Sequence, residues 1–185
     1  MKCRHCHSEL NHRFLDLGYA PPSNALLKAE DLQRPELTYP LRLYVCTGCW
    51  LVQTEDFAQA DELFNPDYVY FSSVSSSWMA HARKYAQDIT QRLSLNKNSF
   101  VVELASNDGY LLRNFLEAGI PCLGIEPTAS TAAAAEALGI SVVRKFFGES
   151  LGSQIAAETG KTDLIIGNNV YAHVPDINDF TVGMQ

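Results

Sequence analysis

Residues Phe100–Leu112 read FVVELASNDGYLL. Phe100, Val101 and Val102 form a short apolar run that ends in an acid, Glu103. Small residues follow (Ala105, Ser106, Asn107, Asp108, Gly109), and an amphipathic stretch begins at Tyr110. Strand, tight turn and helix in this order open a nucleotide-type α/β domain. Small turn residues let a ligand approach the backbone, and the start of the helix offers free N–H groups. An acid at the strand end suits a ligand with hydroxyls or a cationic amine better than a bare pyrophosphate.

Outward from this stretch the pattern alternates. FVVELA is a predicted first strand, GYLLRNFLEAG a helix stopped by Gly119, and PCLGIE a second strand. TASTAAAAEALG is a helix closed by Gly139, ISVVRKFF a third strand, SLGSQIAAETG a short helix and TDLIIGNN a fourth strand. A last helix starts near Asp176 and Asn178. Crossovers of this kind give a parallel sheet with right-handed connections. Before it, Trp78, Ala82, Tyr85, Ile89 and Leu93 recur at helical spacing and predict a helix over 78–93. Ser75–Ser77 are able to cap it. His81 lies on the flank of its apolar face, where an isolated histidine is ordinarily structural.

The 185 residues carry 14 Lys and Arg against 21 Asp and Glu, a net charge of −7. That balance argues against a general nucleic-acid binder, which needs a basic face. No run is long enough to span a membrane, and MKCRHCHSEL has no secretory signal. The expected setting is the reducing cytoplasm, where cysteines are metal ligands or free thiols rather than disulfides. Cys3 and Cys6 form one C-x-x-C and Cys46 and Cys49 another, across a 39-residue gap (residues 7–45). Two such pairs supply the four-sulfur shell that zinc favours, with Gly48 easing the second turn. Four-cysteine sites are normally closed, so this zinc is structural, stapling a domain over residues 1–57 too small for its own core. No thioredoxin-like pattern surrounds either pair to favour redox chemistry. Cys122, in an apolar strand, is a buried small residue.

Residues 58–95 connect the zinc domain to a sheet domain over 96–185. The stretch 58–76 is rich in aromatics and serines, more than a tether needs. Tyr70 there either lines a pocket or packs in a core. In the sheet domain three points fall at the carboxyl ends of strands, the edge where open α/β sheets bind ligands. They are Glu103–Gly109, then Glu126 in GIEPT, whose carboxylate suits a ribose diol, then NNVYAHVPD with Asn168, Asn169, Tyr171 and His173. The dinucleotide fingerprint G-x-G-x-x-G is missing: Ala105 and Asn107 stand in glycine positions and Gly109 alone remains. The loss favours S-adenosylmethionine, which has no phosphate, over NAD, and a methyltransferase over an NAD-dependent oxidoreductase.

ELASNDGYLL, GIEPTA and NNVYAHVPD, together with the paired cysteines, resemble the zinc-containing sugar C-methyltransferases of deoxysugar pathways. The resemblance covers Lys2–Gln185. It implies an α/β fold with an N-terminal zinc-binding domain (Cys3, Cys6, Cys46, Cys49). After that comes a Rossmann-like methyltransferase domain, with its first four strands in the order 3-2-1-4. It implies C3-methylation of a nucleotide-linked 4-keto-6-deoxysugar through an enolate. Glu103, Ala105, Ser106, Asp108, Gly109, Glu126 and Asn168 would surround S-adenosylmethionine, and Tyr70 and His173 would face the sugar. His173 serves as a base, a hydrogen-bonding group or a helix-entry residue. The family's sheet has seven strands and a further domain, so an N-terminal fragment is expected. Residues 163–168 would then form an open edge, and turnover alone would be weak or absent. The alternative from another class is a zinc- and cofactor-binding module completed by a partner chain.

Overall fold

The computed structural model describes residues 1–57, 64 and 68–185; residues 58–63 and 65–67, within the predicted connecting segment, lie outside the described residues. The chain divides into two units, Met1–Leu63 with Pro175–Asn178, and Phe64–Val174 with Asp179–Gln185.

In the first unit, strands β1 (His12–Ala20), β2 (Tyr39–Val45) and β3 (Val52–Thr54) make an antiparallel sheet in the order β1-β2-β3. Among the described residues its buried apolar core is three residues, Cys3, Leu10 and Cys46, with Tyr44, Cys49 and Leu51 packed on them. Phe14, Leu17 and Tyr19 of β1 are 64%, 58% and 64% exposed. So little apolar burial cannot offset the cost of ordering the backbone. The unit therefore needs a cross-link, as the cysteine pairs predict.

The second unit is the predicted α/β domain. Its elements are α1 (Ser76–Leu93), β4 (Val101–Leu104), α2 (Leu112–Glu117), β5 (Cys122–Ile125), α3 (Ala129–Ala137), β6 (Ser141–Val143), α4 (Glu149–Thr159), β7 (Leu164–Ile166) and, from Asp179 on, α5 (Ile177–Gly183). All strand pairs are parallel, in the order β6-β5-β4-β7, which is the expected 3-2-1-4. Alternation along β4 sorts its side chains. Val101 packs with Ala82 and Ala86 of α1 and Phe115 of α2, whereas Val102 and Leu104 pack with Leu151 and Ile155 of α4 and Phe180 of α5. Two covered faces explain why the strands read as continuous apolar runs.

Helix α1 belongs to this core rather than to a connector, so residues 76–93 join the sheet domain. The Ser75 hydroxyl accepts from the Trp78 N–H at its start, and Ser94, at φ 55, closes it. Two elements are shorter than predicted. The helix expected from Gly109 starts at Leu112, because Gly109 has φ 76 and the chain is still turning there. The third strand stops at Val143, whose carbonyl accepts from the Lys145 N–H in a turn.

Candidate functional site

The four predicted zinc ligands meet in the first unit, all four sulfurs within 4.8 Å of one another. Cys3 and Cys49 Sγ are 3.6 Å apart and Cys6 and Cys46 Sγ 3.5 Å. Four sulfurs around a tetrahedral zinc at ~2.3 Å stand ~3.8 Å apart, so the set fits the ion without rearrangement. Each pair turns the same way. His7, after Cys6, has φ 60, and its N–H donates to the Cys3 carbonyl. Trp50, after Cys49, has φ 66, and its N–H donates to the Cys46 carbonyl. Donors converge on the sulfurs: the Gly48 N–H on Cys46 at 3.4 Å and the Gln53 amide on Cys3 at 3.2 Å. Burial works to raise the Cys3 thiol, but backbone N–H groups of Cys6 and His5 and the Gln53 amide outweigh it and bring it down to about 6. Cys49 accepts from the Leu51 N–H, yet burial and the three neighbouring sulfurs push it up to about 12. Such crowding of thiols is relieved by a cation in their midst. A Cβ on Gly48 would stand 3.2 Å from the Ser8 hydroxyl, so the second turn has no slack.

At the carboxyl edge of the sheet, the turn after β4 is left-handed at alternate residues: Ala105 at φ 54, Asn107 at φ 50 and Gly109 at φ 76. Ala105 is exposed, the one open point of the turn. Ser106 is fully buried beneath the turn; its N–H donates to the Ile125 carbonyl, and its hydroxyl has no hydrogen-bond partner among the described residues. At Gly109 a Cβ would lie 2.5 Å from Ile140 Cδ1 and 3.2 Å from Ala135 Cβ. That glycine lets α3 close on the turn. Glu126 is 5% exposed, and both its oxygens accept backbone N–H groups, Oε2 from Asn107 and Oε1 from Thr128. It fixes the turn to the start of α3, and each oxygen keeps a second lone pair for a ligand hydroxyl.

A segment from Tyr68 to Ser73 is fastened across this turn. Asn107 accepts from the Ser72 N–H at 2.9 Å and donates to the Tyr70 carbonyl at 3.0 Å; Asp108 accepts from the Ser73 N–H at 3.0 Å. The Ser130 hydroxyl of α3 donates to the Tyr68 carbonyl. Sequence reading assigned Asp108 to the cofactor and gave Asn107 no role; the structure gives both side chains this fastening.

Glu103, 1% exposed, lies on the α1 face of β4. Burial first, then the Asp108 and Glu126 carboxylates, hold its carboxyl well above the usual range. Its Oε2 and Asp108 Oδ1 are buried without a hydrogen-bond partner, and none of the three acids forms an ion pair among the described residues. Orphaned acid oxygens at the ligand edge of a sheet suit a group that donates hydrogen bonds or carries positive charge, and repel a phosphate. This fits the sulfonium, amine and hydroxyls of S-adenosylmethionine.

Beside the turn is a cavity of about 190 Å³. Helix α1 gives it Trp78, His81 and Tyr85; Tyr110 and the post-β7 residues Asn168 and Asn169 complete the polar and aromatic wall. Trp78 stacks on His81 at 5.1 Å and on Tyr110 at 5.9 Å between ring centroids. Tyr110 is 5% exposed and accepts from the Asn168 amide at 3.5 Å; burial, then the Glu103 carboxylate, pushes its phenol up to about 12. Sequence reading took Trp78 and Tyr85 for core. The signal it passed over is the i, i+3, i+7 placement of three rings on one helix flank. Tyr70 is half exposed. His173 is exposed in a short helical turn, Tyr171–His173, with no ring hydrogen bond among the described residues. The structure thus brings Glu103, Asp108, Glu126 and Asn168 to one edge and does not join the Tyr70 and His173 side chains to each other. Among the described residues no helix is long and apolar enough to cross a membrane.

Two solved structures resemble parts of the chain. One is a methyltransferase from Thiobacillus denitrificans in complex with S-adenosyl-L-homocysteine (18% identity, 52% of this chain and 43% of that one, TM-score 0.33). The other is the glycopeptide N-methyltransferase MtfA complexed with sinefungin (18% identity, 49% and 30%, TM-score 0.27). Residues 3–64 match a family model described as "Putative zinc binding domain". C-methyltransferase NovU of Streptomyces niveus is 31% identical over 184 residues, all of this chain but 44% of that protein, so the chain spans less than half its relative's length. The four clustered cysteines lie in the region that matches the zinc-binding model, and the chain as a whole is similar to a C-methyltransferase.

Proposed function

We propose that the turn after β4 is the S-adenosylmethionine site of a methyltransferase acting at carbon. Its acceptor is a nucleotide-linked 4-keto-6-deoxysugar, methylated at C3. The observation that carries the cofactor reading is the pair of buried, unpartnered acid oxygens on Glu103 and Asp108 beside the exposed turn at Ala105. The chemistry at carbon is supported by the full-length likeness to a C-methyltransferase. The bound cofactor would supply an electrophilic methyl group. Ala105 and Gly109 would offer backbone, Glu126 a ribose contact and Asn168 a polar contact on the same edge.

The rest is work for side chains near the acceptor. A carbonyl acidifies the neighbouring C–H, so a base must take that proton and a donor must hold the enolate oxygen. His173 and Tyr70 are assigned to those tasks. The zinc holds its own unit together and takes no part in the chemistry. Calorimetric titration of the zinc-loaded chain tests the cofactor reading. S-adenosylmethionine should bind once per chain and NAD should not; NAD binding with no response to S-adenosylmethionine would refute it.

A further inference from the structure

We propose that Glu103 is a proton-linked counter-ion for the cofactor: S-adenosylmethionine enters against its carboxyl, and the carboxyl proton leaves for bulk water. The proposal rests on the cofactor reading of the turn and adds a dependence on pH to it. Glu103 lies within the sheet, in register with Gly124 of β5 and Ile166 of β7, and is 1% exposed. Its Oε2 is buried without a hydrogen-bond partner. The other two acids at this edge differ. Glu126 accepts a backbone N–H on each oxygen, and Asp108 accepts one on Oδ2. Such donors hold a carboxylate as the anion, and Oε2 of Glu103 has none. A second unpartnered acceptor, Asp108 Oδ1, belongs to the carboxylate that acts most strongly on Glu103.

The groups facing Glu103 supply no positive charge either. They are Tyr85 of α1, Asp108 and Tyr110 ahead of α2, and Cys122 and Glu126 from β5 and the turn after it. Of the bases on these elements, Arg83, Lys84 and Arg92 of α1 are exposed, and Arg113 of α2 pairs with Glu117. Burial, then the Asp108 and Glu126 carboxylates, keep the proton on Glu103. S-adenosylmethionine brings what this place lacks: a sulfonium and an ammonium, two positive groups to one carboxylate. Against them the charged form of Glu103 is favoured over the neutral one. Glu103 passes from –COOH to –COO⁻, no bond of the cofactor changes, and one proton goes to the solvent. The empty fold avoids a bare buried charge, and the counter-ion forms when a cation is there to meet it. Loading then tightens as pH rises, because a proton is a product of binding. His81 of α1, which lines the neighbouring cavity and stacks on Trp78, is another titratable group on this side and serves as the control.

Calorimetric titration of the zinc-loaded chain with S-adenosylmethionine, in buffers of different ionisation enthalpy, counts the protons released. It is run between about pH 5 and 7, below the titration of the cofactor's own amine. Wild type should release up to about one proton per cofactor bound, and its Kd should fall by up to about tenfold per unit rise in pH. Glu103→Gln should bind more weakly, with little release and a nearly flat Kd. His81→Gln should keep both the release and the pH slope. Infrared difference spectra give a reading that needs no variant: the band of a protonated, buried carboxyl should disappear from wild type when S-adenosylmethionine binds. Four results would overturn the proposal and leave the cofactor reading standing: binding without proton release, release that persists in Glu103→Gln, release lost from a His81→Gln chain that still binds, or an unchanged carboxyl band. No binding of S-adenosylmethionine to wild type would overturn both.

Discussion

Ala105 holds a backbone conformation, φ 54, that an L-residue with a Cβ resists by ~1–2 kcal/mol. Ala105→Gly should therefore raise stability, by ~0.5–1 kcal/mol after the greater freedom of glycine in the unfolded chain is allowed for, as measured by urea denaturation. Gly109→Ala should do the opposite. It meets both the positive φ and the approach of Ile140 and Ala135, and a loss of ~2–4 kcal/mol is expected in the same measurement. At Glu103 the sign follows from its raised carboxyl. The unfolded chain ionises near the ordinary 4.5 and the folded chain at a higher pH, so this residue's contribution is full below the unfolded value and is lost as pH rises through the folded one. Glu103→Gln should thus melt higher than wild type above about pH 4.5, with a gap that widens toward neutrality, while weakening S-adenosylmethionine in calorimetry. The sequence displayed the missing glycines and the strand-end acids. The left-handed turn was hidden, because it is imposed on Ala105 and Asn107 from outside: by Ser106 buried beneath, and by the grip of Glu126 on the Asn107 N–H.

Among elements, α1 and the segment fastened over the post-β4 turn contrast in how far sequence exposes them. The register of α1 follows from its apolar spacing and its cap from Ser75, both local signals. Ser75→Ala should cost ~1 kcal/mol by thermal melting. The segment is held instead by Asn107 and Asp108, partners 35 residues away, and no short-range pattern announces such bonds. Asn107→Ala removes the bonds to Ser72 and Tyr70 together. Amide hydrogen exchange at Ser72 should speed up, while amides of β4 and β5 keep their protection; unchanged Ser72 protection would show that the fastening lies elsewhere.

For the whole molecule, the two units draw stability from different sources. The first has a core of Cys3, Leu10 and Cys46 and leans on its four thiolates. The second buries apolar residues on both faces of its sheet. Chelating zinc should erase amide protection across β1–β3 and spare β4–β7. Zinc affinity should fall as pH falls, because binding must displace the thiol protons, that on Cys49 held most firmly at about 12. The strand order and the paired cysteines were readable because each arises from periodicity or spacing. The thinness of the first unit's core was not, since Phe14, Leu17 and Tyr19 look like core residues until the sheet is seen to lie open over them. The segment over the cofactor turn has a consequence of another kind. It is attached through its own backbone, the Ser72 and Ser73 N–H groups and the Tyr68 and Tyr70 carbonyls, while every side chain in those bonds comes from the turn or from α3. Its exposed side chains, Val69 and Tyr70, are thus at liberty to drift over evolutionary time without loosening it, so descendants of one ancestor exchange acceptors and inherit the same cofactor turn.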